Sequence, residues 1–368
     1  MDTTEIARTP ELDHRPELPA RTRRAIPWTT AAAAAAGAGG AAALAAGLTG
    51  HGATSSAAHP AISLLHALPH AQVAVLLGAA GLLVALGMLL LGRLARVVGR
   101  GEAPAGLSTP RMVLAAVVPL LAVLALASTC DANPLAFAGY LPLASIGSLF
   151  SAEMRESWAT LPWLQMLAQL TVAATAIMTV AASLRAVDTL RGPAPTPAWQ
   201  RPAAAARWGR TAVAAAVAIP LLYAVTRFAW VLGWPVGFDA EAYADSGGDV
   251  TSGGFLAVGA LVGSILTVGL VRPRGERFWS WLPRWGGRRV PVPLAVIPAS
   301  TVAALLLPAG VSMIVAATEH LGVASLGSLA ENWAAIGVTF LWPIWSLALA
   351  VATWAYALRR QGEAGHAG

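Results

Sequence analysis

An all-α bundle of eight membrane-spanning helices, built as a tandem pair of four-helix halves, is the fold that this 368-residue sequence predicts. Three observations carry that expectation. The chain is 57% hydrophobic and only 11% charged, far below the roughly 25% charged share of a soluble domain. Its apolar residues gather in eight runs of the length a bilayer core demands, about 20 residues in helical form. Its arginines, finally, are confined to alternate connections between those runs.

The runs cover residues 28–48, 72–91, 112–128, 161–184, 211–234, 255–271, 292–318 and 333–358. Backbone donors and acceptors must be satisfied within each segment in lipid, so helix is the default, and the alternation of a barrel strand is absent. The first run, "TTAAAAAAGAGGAAALAAGL", is weakly hydrophobic and depends on its neighbours. In the second, Gly81 and Ala85 form a small-xxx-small pair, and Gly259 with Gly263 repeats it in the sixth; such pairs permit close helix approach. The fourth carries Thr171, Thr175, Thr179 and Ser183 every fourth residue, a polar stripe suited to interhelical hydrogen bonds. Pro220, Pro298, Pro308 and Pro343 fall inside the fifth, seventh and eighth runs, where each can bend its helix.

Charge sets the direction. All 24 basic residues are arginine, and 22 of them lie in the N-terminal arm, the second, fourth and sixth connections, and the tail. Only Arg155 lies in an odd connection, whereas Asp131, Glu153, Glu156, Asp239, Glu241, Asp245, Asp249, Glu319 and Glu331 all do. Arginine is retained on the cytoplasmic side of short loops, so both termini are expected in the cytoplasm. "RTRRAIPW" could be read as a twin-arginine leader, but the long, half-acidic arm before it favours an uncleaved first span. Domain boundaries follow: an arm over 1–27 expected to be disordered, a first half over 28–190, a linker over 191–207, a second half over 208–358 and a tail over 359–368.

Internal similarity supports the two halves. Trp28 aligns with Trp208, Arg93 with Arg272, Pro119 with Pro298, Trp158 with Trp333 and Arg185 with Arg359, all at offsets between 174 and 180. Four spans per repeat is an even number, so the halves share one orientation and a pseudo-twofold axis along the membrane normal, with their interface a natural place for a cavity.

The stretch "RPRGERFWSWLPRWGGRR" holds six arginines and Trp279, Trp281 and Trp285 in the sixth connection. Arginine faces anionic lipid head groups and indole favours the interface, so the partner expected here is the bilayer. No stacking platform or groove-reading element accompanies it, and nucleic acid is not the expected partner.

Few residues could carry chemistry. Arg227, in "YAVTRFAWVLGW", is the ionisable group inside a span, with Tyr223, Trp230 and Trp234 on its helical face. Two readings stand beside each other: an anion or carbonyl ligand held over aromatic walls with Glu319 or Asp131 as counter-ion, or an arginine reaching to the head groups. His66 and His70 could share a helical face as metal ligands, though Pro69 between them argues against it and no third ligand is fixed. "DAEAYADSGGDVTSGG" clusters acids without calcium-loop spacing. Cys130 stands alone, so an internal disulfide is excluded. No phosphate loop, HExxH or GxSxG is present, no cofactor is implied, and the sequence leans away from an enzyme.

"GERFWSWLPRWGGRRVPVPLAVIPAS" and "PLLYAVTRFAWVLGWPVG" resemble the inner turn with seventh span, and the fifth span, of a group of uncharacterised actinobacterial multi-pass membrane proteins, in which an arginine matching Arg227 is usual. The likeness covers the second half well and the first half in layout; the acidic loop after Phe238 departs from it. It implies a bacterial plasma-membrane setting and no mechanism. Three functions remain open: binding or transport of a small or lipidic ligand between the halves, a non-catalytic scaffold or accessory subunit, and a metal-dependent enzyme on the external face.

Overall fold

The computed structural model describes residues 20–192, 195–245, 250–278, 280, 283–284, 286–320 and 330–364. Among them the chain is helical with no strand, and eight helices are long and apolar enough to cross a membrane. This is a polytopic, all-α integral membrane protein. The spans are α1 (Ala20–Leu48), α2 (His70–Gly99), α3 (Thr109–Thr129), α6 (Trp163–Arg191), α7 (Pro202–Val231), α9 (Val250–Gly269), α10 (Val292–Thr318) and a last, broken span made of α11 (Trp333–Ile336), a 3₁₀ stretch (Gly337–Leu341) and α12 (Trp342–Ala364). Three short helices join them: α4 (Asn133–Gly147), α5 (Ala152–Ala159) and α8 (Ala240–Asp245).

Proline and glycine punctuate the spans. Proline stands at the N-cap of α2, α6 and α10 (Pro69, Pro162, Pro291) and in the first turn of α3, α4 and α7, where its missing N–H costs nothing. Gly101 and Gly192, both at positive φ, follow α2 and α6 and end them without a Cβ clash. Pro220, Pro298 and Pro308 lie within unbroken helices. Only Pro343 coincides with a break, because it occupies the second position of α12 directly after the 3₁₀ stretch.

Boundaries differ from expectation at both ends. Helix α1 starts at Ala20, before the first apolar run, and α12 continues to Ala364, beyond the last one. The third connection holds α4, an apolar helix too short at 15 residues to span a bilayer.

Two packing groups are evident. In the first, α1 packs on α2 and α6, α3 on α2 and α6, and α2 on α6; in the second, α7 packs on α9 and α12, and α12 on α10. The pairings α1–α2, α1–α6 and α3–α6 thus have counterparts in α7–α9, α7–α12 and α10–α12. The groups meet where α10 packs on α3 and α6, placing Leu305 in the first core, and where α4 touches α6, α9 and α10. Leu135 of α4 borders the cores of both groups.

Helix contact is closest between α1 and α2. A Cβ on Gly81 would lie 2.8 Å from the Gly40 Cα, and one on Gly78 would lie 2.6 Å from the Leu44 nitrogen, so the small residues here are required. The second expected pair behaves otherwise: Gly259 and Gly263 have no neighbour within 4 Å of a built Cβ. They sit on an open side of α9, where Val258, Val262, Ile265 and Leu266 are exposed, as suits a lipid-facing surface.

Even-numbered connections share one end of the bundle. Gly106 N–H donates to the Leu190 carbonyl at 2.8 Å, and Arg359 donates to Glu276 at 3.1 Å and to the Leu270 carbonyl at 2.7 Å. Arg185 lies 4.1 Å above the Trp28 ring at that end. The sixth connection pairs with itself through Phe278 N–H to the Arg288 carbonyl (2.9 Å) and Val290 N–H to the Glu276 carbonyl (2.9 Å), leaving Arg272, Arg277, Arg284, Arg288 and Arg289 exposed. Trp279, Trp281 and Trp285 lie outside the described residues, as does Asp249. Odd connections share the opposite, arginine-poor end, where Thr54 meets Thr129 and Asp239 meets Asn332.

Candidate functional site

Arg227 is buried inside the second packing group at 7% exposure. Its guanidinium donates to the Ala334 carbonyl at 3.0 Å, the Ala335 carbonyl at 3.2 Å and the Thr226 hydroxyl at 3.3 Å. Tyr223 and Trp230 flank it, their ring centres 4.4 and 4.0 Å from the guanidinium carbon. Trp230 in turn stacks on Phe238 at 4.1 Å and donates to the Val236 carbonyl. The two alanine carbonyls belong to the short α11, which passes directly into the 3₁₀ stretch, and the arginine ties this irregular segment to α7. Trp234, expected on the same face, lies beyond the end of α7 and is exposed.

Neither expected counter-ion stands beside it. Glu319 is exposed at the C-cap of α10. Asp131 is buried in the first group, where it accepts from the Asn133 side chain at 2.8 Å and the Asn133 N–H at 3.0 Å. Burial raises its carboxyl above the ordinary carboxylate range, against those hydrogen bonds. Carbonyl oxygens and ring faces, rather than a carboxylate, surround Arg227.

The histidines do not converge. Pro69 starts α2 after a turn, so His66 lies in the turn, bonded to the Ser63 carbonyl at 3.0 Å, while His70 opens the helix and bonds the Ser55 hydroxyl at 3.1 Å. No group of three metal-ligating side chains occurs among the described residues. Burial pushes the Cys130 thiol up to about 12, which leaves no thiolate to act as a nucleophile near neutral pH.

An opening of different character lies in the first group. A cavity of about 660 Å³ is bounded by α1, α2, α3 and α6 at the arginine-poor end, a size suited to a small-molecule ligand. Its walls are mostly alanine and glycine, among them Gly39, Ala43, Ala80 and Ala122, with Leu77 and Val84 of α2. Thr171 and Thr175 of the polar stripe lie on one side, and Thr54, Ser55 and Ser56 of the first connection at the end. Exposed Ala42 of α1 and Leu164, Leu167 and Thr171 of α6 form its rim, on the outer faces of two adjacent spans. Small side chains make this space: four helices held apart by their loops cannot close on one another where alanine replaces leucine.

Loop bonds hold that end open. The Thr54 hydroxyl donates to the Thr129 carbonyl at 2.9 Å, the Gln169 amide donates to the Thr54 carbonyl at 3.0 Å, and the Gln169 oxygen accepts from Asp131 N–H at 3.2 Å. These three contacts tie the first connection, the third connection and α6 into one roof.

Gln165, one turn before Gln169, lines the cavity at 8% exposure, and neither its amide nitrogen nor its oxygen has a hydrogen-bond partner. Thr179, Ser183, Asn332, Trp342 and Trp345 also hold unpaired buried polar atoms but do not border this cavity. A buried amide with both functions unmet costs roughly 1–3 kcal/mol for each unsatisfied group, and a ligand offering both a donor and an acceptor recovers that cost. The signal in the sequence is two glutamines, Gln165 and Gln169, four residues apart in an apolar run.

No protein-family model, curated protein or solved structure matches the chain. The site is therefore read from its own chemistry.

Proposed function

We propose that the protein binds a ligand drawn from the surrounding bilayer, in the cavity of its first four-span group, and that this binding or carriage is its role. The observation that carries the reading is the unpaired Gln165 amide on the wall of a cavity whose rim is set in lipid-facing helix surface. The site lies within one half. Between the halves, α10 packs directly on α3 and α6.

The setting we propose is the plasma membrane of a bacterium, with both termini cytoplasmic, in keeping with the arginine distribution and with the resemblance to actinobacterial multi-pass proteins. The cavity then opens toward the outer leaflet. Exposed arginines of the sixth connection meet anionic head groups on the cytoplasmic side. Three helix pairings shared by the two groups support a duplicated origin for the halves, although α2–α3 and α2–α6 have no close counterpart in α9–α10 and α9–α12.

A photoactivatable alkyl probe in nanodiscs tests the binding site. Labelling is expected to concentrate on peptides of α1 and α6 around Ala42 and Leu167. Gly39→Leu fills the cavity, because a Cβ at Gly39 meets nothing within 4 Å, and abolishes that labelling. Gly259→Leu, on the open side of α9, leaves it unchanged. Equal labelling of all three proteins at these peptides excludes the site.

A further inference from the structure

The cavity also constrains what enters it, and this inference rests on the binding reading above. Among its described lining residues the single ionisable side chain is His59, which is exposed at the rim. Inside, the walls offer methyl groups, glycine backbone, the hydroxyls of Thr54, Ser55, Ser56, Thr171 and Thr175, and the unpartnered Gln165 amide. The hydroxyls of Thr54, Ser55, Ser56 and Thr171 are already hydrogen-bonded within the protein. A charged head placed there has no opposite charge to meet and loses its hydration, which is costly in a low-dielectric site. A pure hydrocarbon leaves the amide unpaired. Only an uncharged group that donates and accepts hydrogen bonds satisfies both the nitrogen and the oxygen of Gln165.

We infer that the ligand is a neutral amphiphile: an amide or alcohol head paired with Gln165 and a hydrocarbon tail lying along the alanine and glycine faces of α1 and α2. The placement of the tail follows from the walls. Gly39, Ala42, Ala43 and Ala46 on α1 face the same space as Ala80 and Gly81 on α2, and the exposed rim at Leu164 and Leu167 lets a chain pass from lipid without crossing a polar barrier. Two hydrogen bonds of ordinary net strength separate such a head from a bare alkyl end, a difference of about thirtyfold in affinity.

Four probes with one chain length test this by displacement of the alkyl photoprobe at pH 9: oleamide, oleyl alcohol, ionised oleate and octadecene. The expected order places oleamide and oleyl alcohol about thirtyfold tighter than oleate and octadecene. Gln165→Leu brings the first two down to the octadecene level while octadecene itself still binds, which shows that the variant is folded. Gly39→Leu removes all four. Oleate binding as tightly as oleamide, or oleamide binding unaltered in Gln165→Leu, overturns the assignment of a neutral head and leaves the cavity reading standing. Retention of all four probes by Gly39→Leu overturns the cavity reading itself.

Discussion

Arg227 and Gln165 stand in corresponding settings, each buried in one packing group near the arginine-poor end, and they are treated oppositely by their surroundings. The arginine has two carbonyls, a hydroxyl and two aromatic faces. The glutamine has a cavity and no partner. A charge in a membrane protein is too expensive to leave unsatisfied, so the fold closes around it; a neutral amide costs less and can be held open for an occupant. The conspicuous residue is the one whose hydrogen-bonding groups are met within the fold, and the inconspicuous residue is the one whose groups are not.

The largest effect that separates the two is on stability. Arg227→Leu strips the donors from the Ala334 and Ala335 carbonyls and is expected to destabilise the protein by about 3 kcal/mol or more, read as a fall in melting midpoint in detergent; Arg227→Lys should lose less, keeping the charge but not the forked geometry. If Arg227→Leu melts with wild type, the arginine does not hold α11. A similar contrast divides the glycines. Gly81→Leu drives a side chain into Gly40 and should cost about 2 kcal/mol, whereas Gly259→Leu should fall within about 0.5 kcal/mol of wild type. Equal melting of these two variants would contradict the α1–α2 contact.

Gln165→Leu has the opposite sign. With no ligand bound, replacing a buried amide whose two functions are both unpaired by an apolar side chain should stabilise by about 2 kcal/mol, measured on protein stripped of lipid. A loss of stability instead would mean that the amide is already satisfied. The smallest effect concerns Asp131, the residue that fixes one corner of the cavity roof. Its raised native pKa means that the folded protein keeps a proton which the unfolded chain has released. Stability is thus highest below the unfolded pKa and declines as pH rises through the raised native value. Asp131→Asn removes this decline, so its melting midpoint should gain on wild type as pH rises above about 4, the unfolded value, and a difference that stays constant with pH would refute the coupling.

Much of the architecture was written in the hydropathy pattern. Eight spans emerged because an apolar run of bilayer length has few alternatives, and the residues of 292–318 match α10 at both ends. Helix α4 was hidden because fifteen apolar residues fall short of a span and resemble a connection. Pairing was legible for Gly81 but not for Gly259: the same motif serves contact on α2 and lies open on α9, since which face a helix presents depends on partners distant in sequence. For the site, Arg227 with Tyr223 and Trp230 was recognisable as a cluster by helical spacing. Its carbonyl partners were not, because they come from a segment more than a hundred residues away. The cavity was likewise invisible, being a space left by alanines on four helices.

Native mass spectrometry of the protein purified in a mild detergent tests the central contrast most directly. Wild type and Arg227→Lys should both carry a bound small-molecule adduct, and Gly39→Leu should carry none. An adduct retained by Gly39→Leu and lost from Arg227→Lys would place the ligand at the arginine and contradict the account.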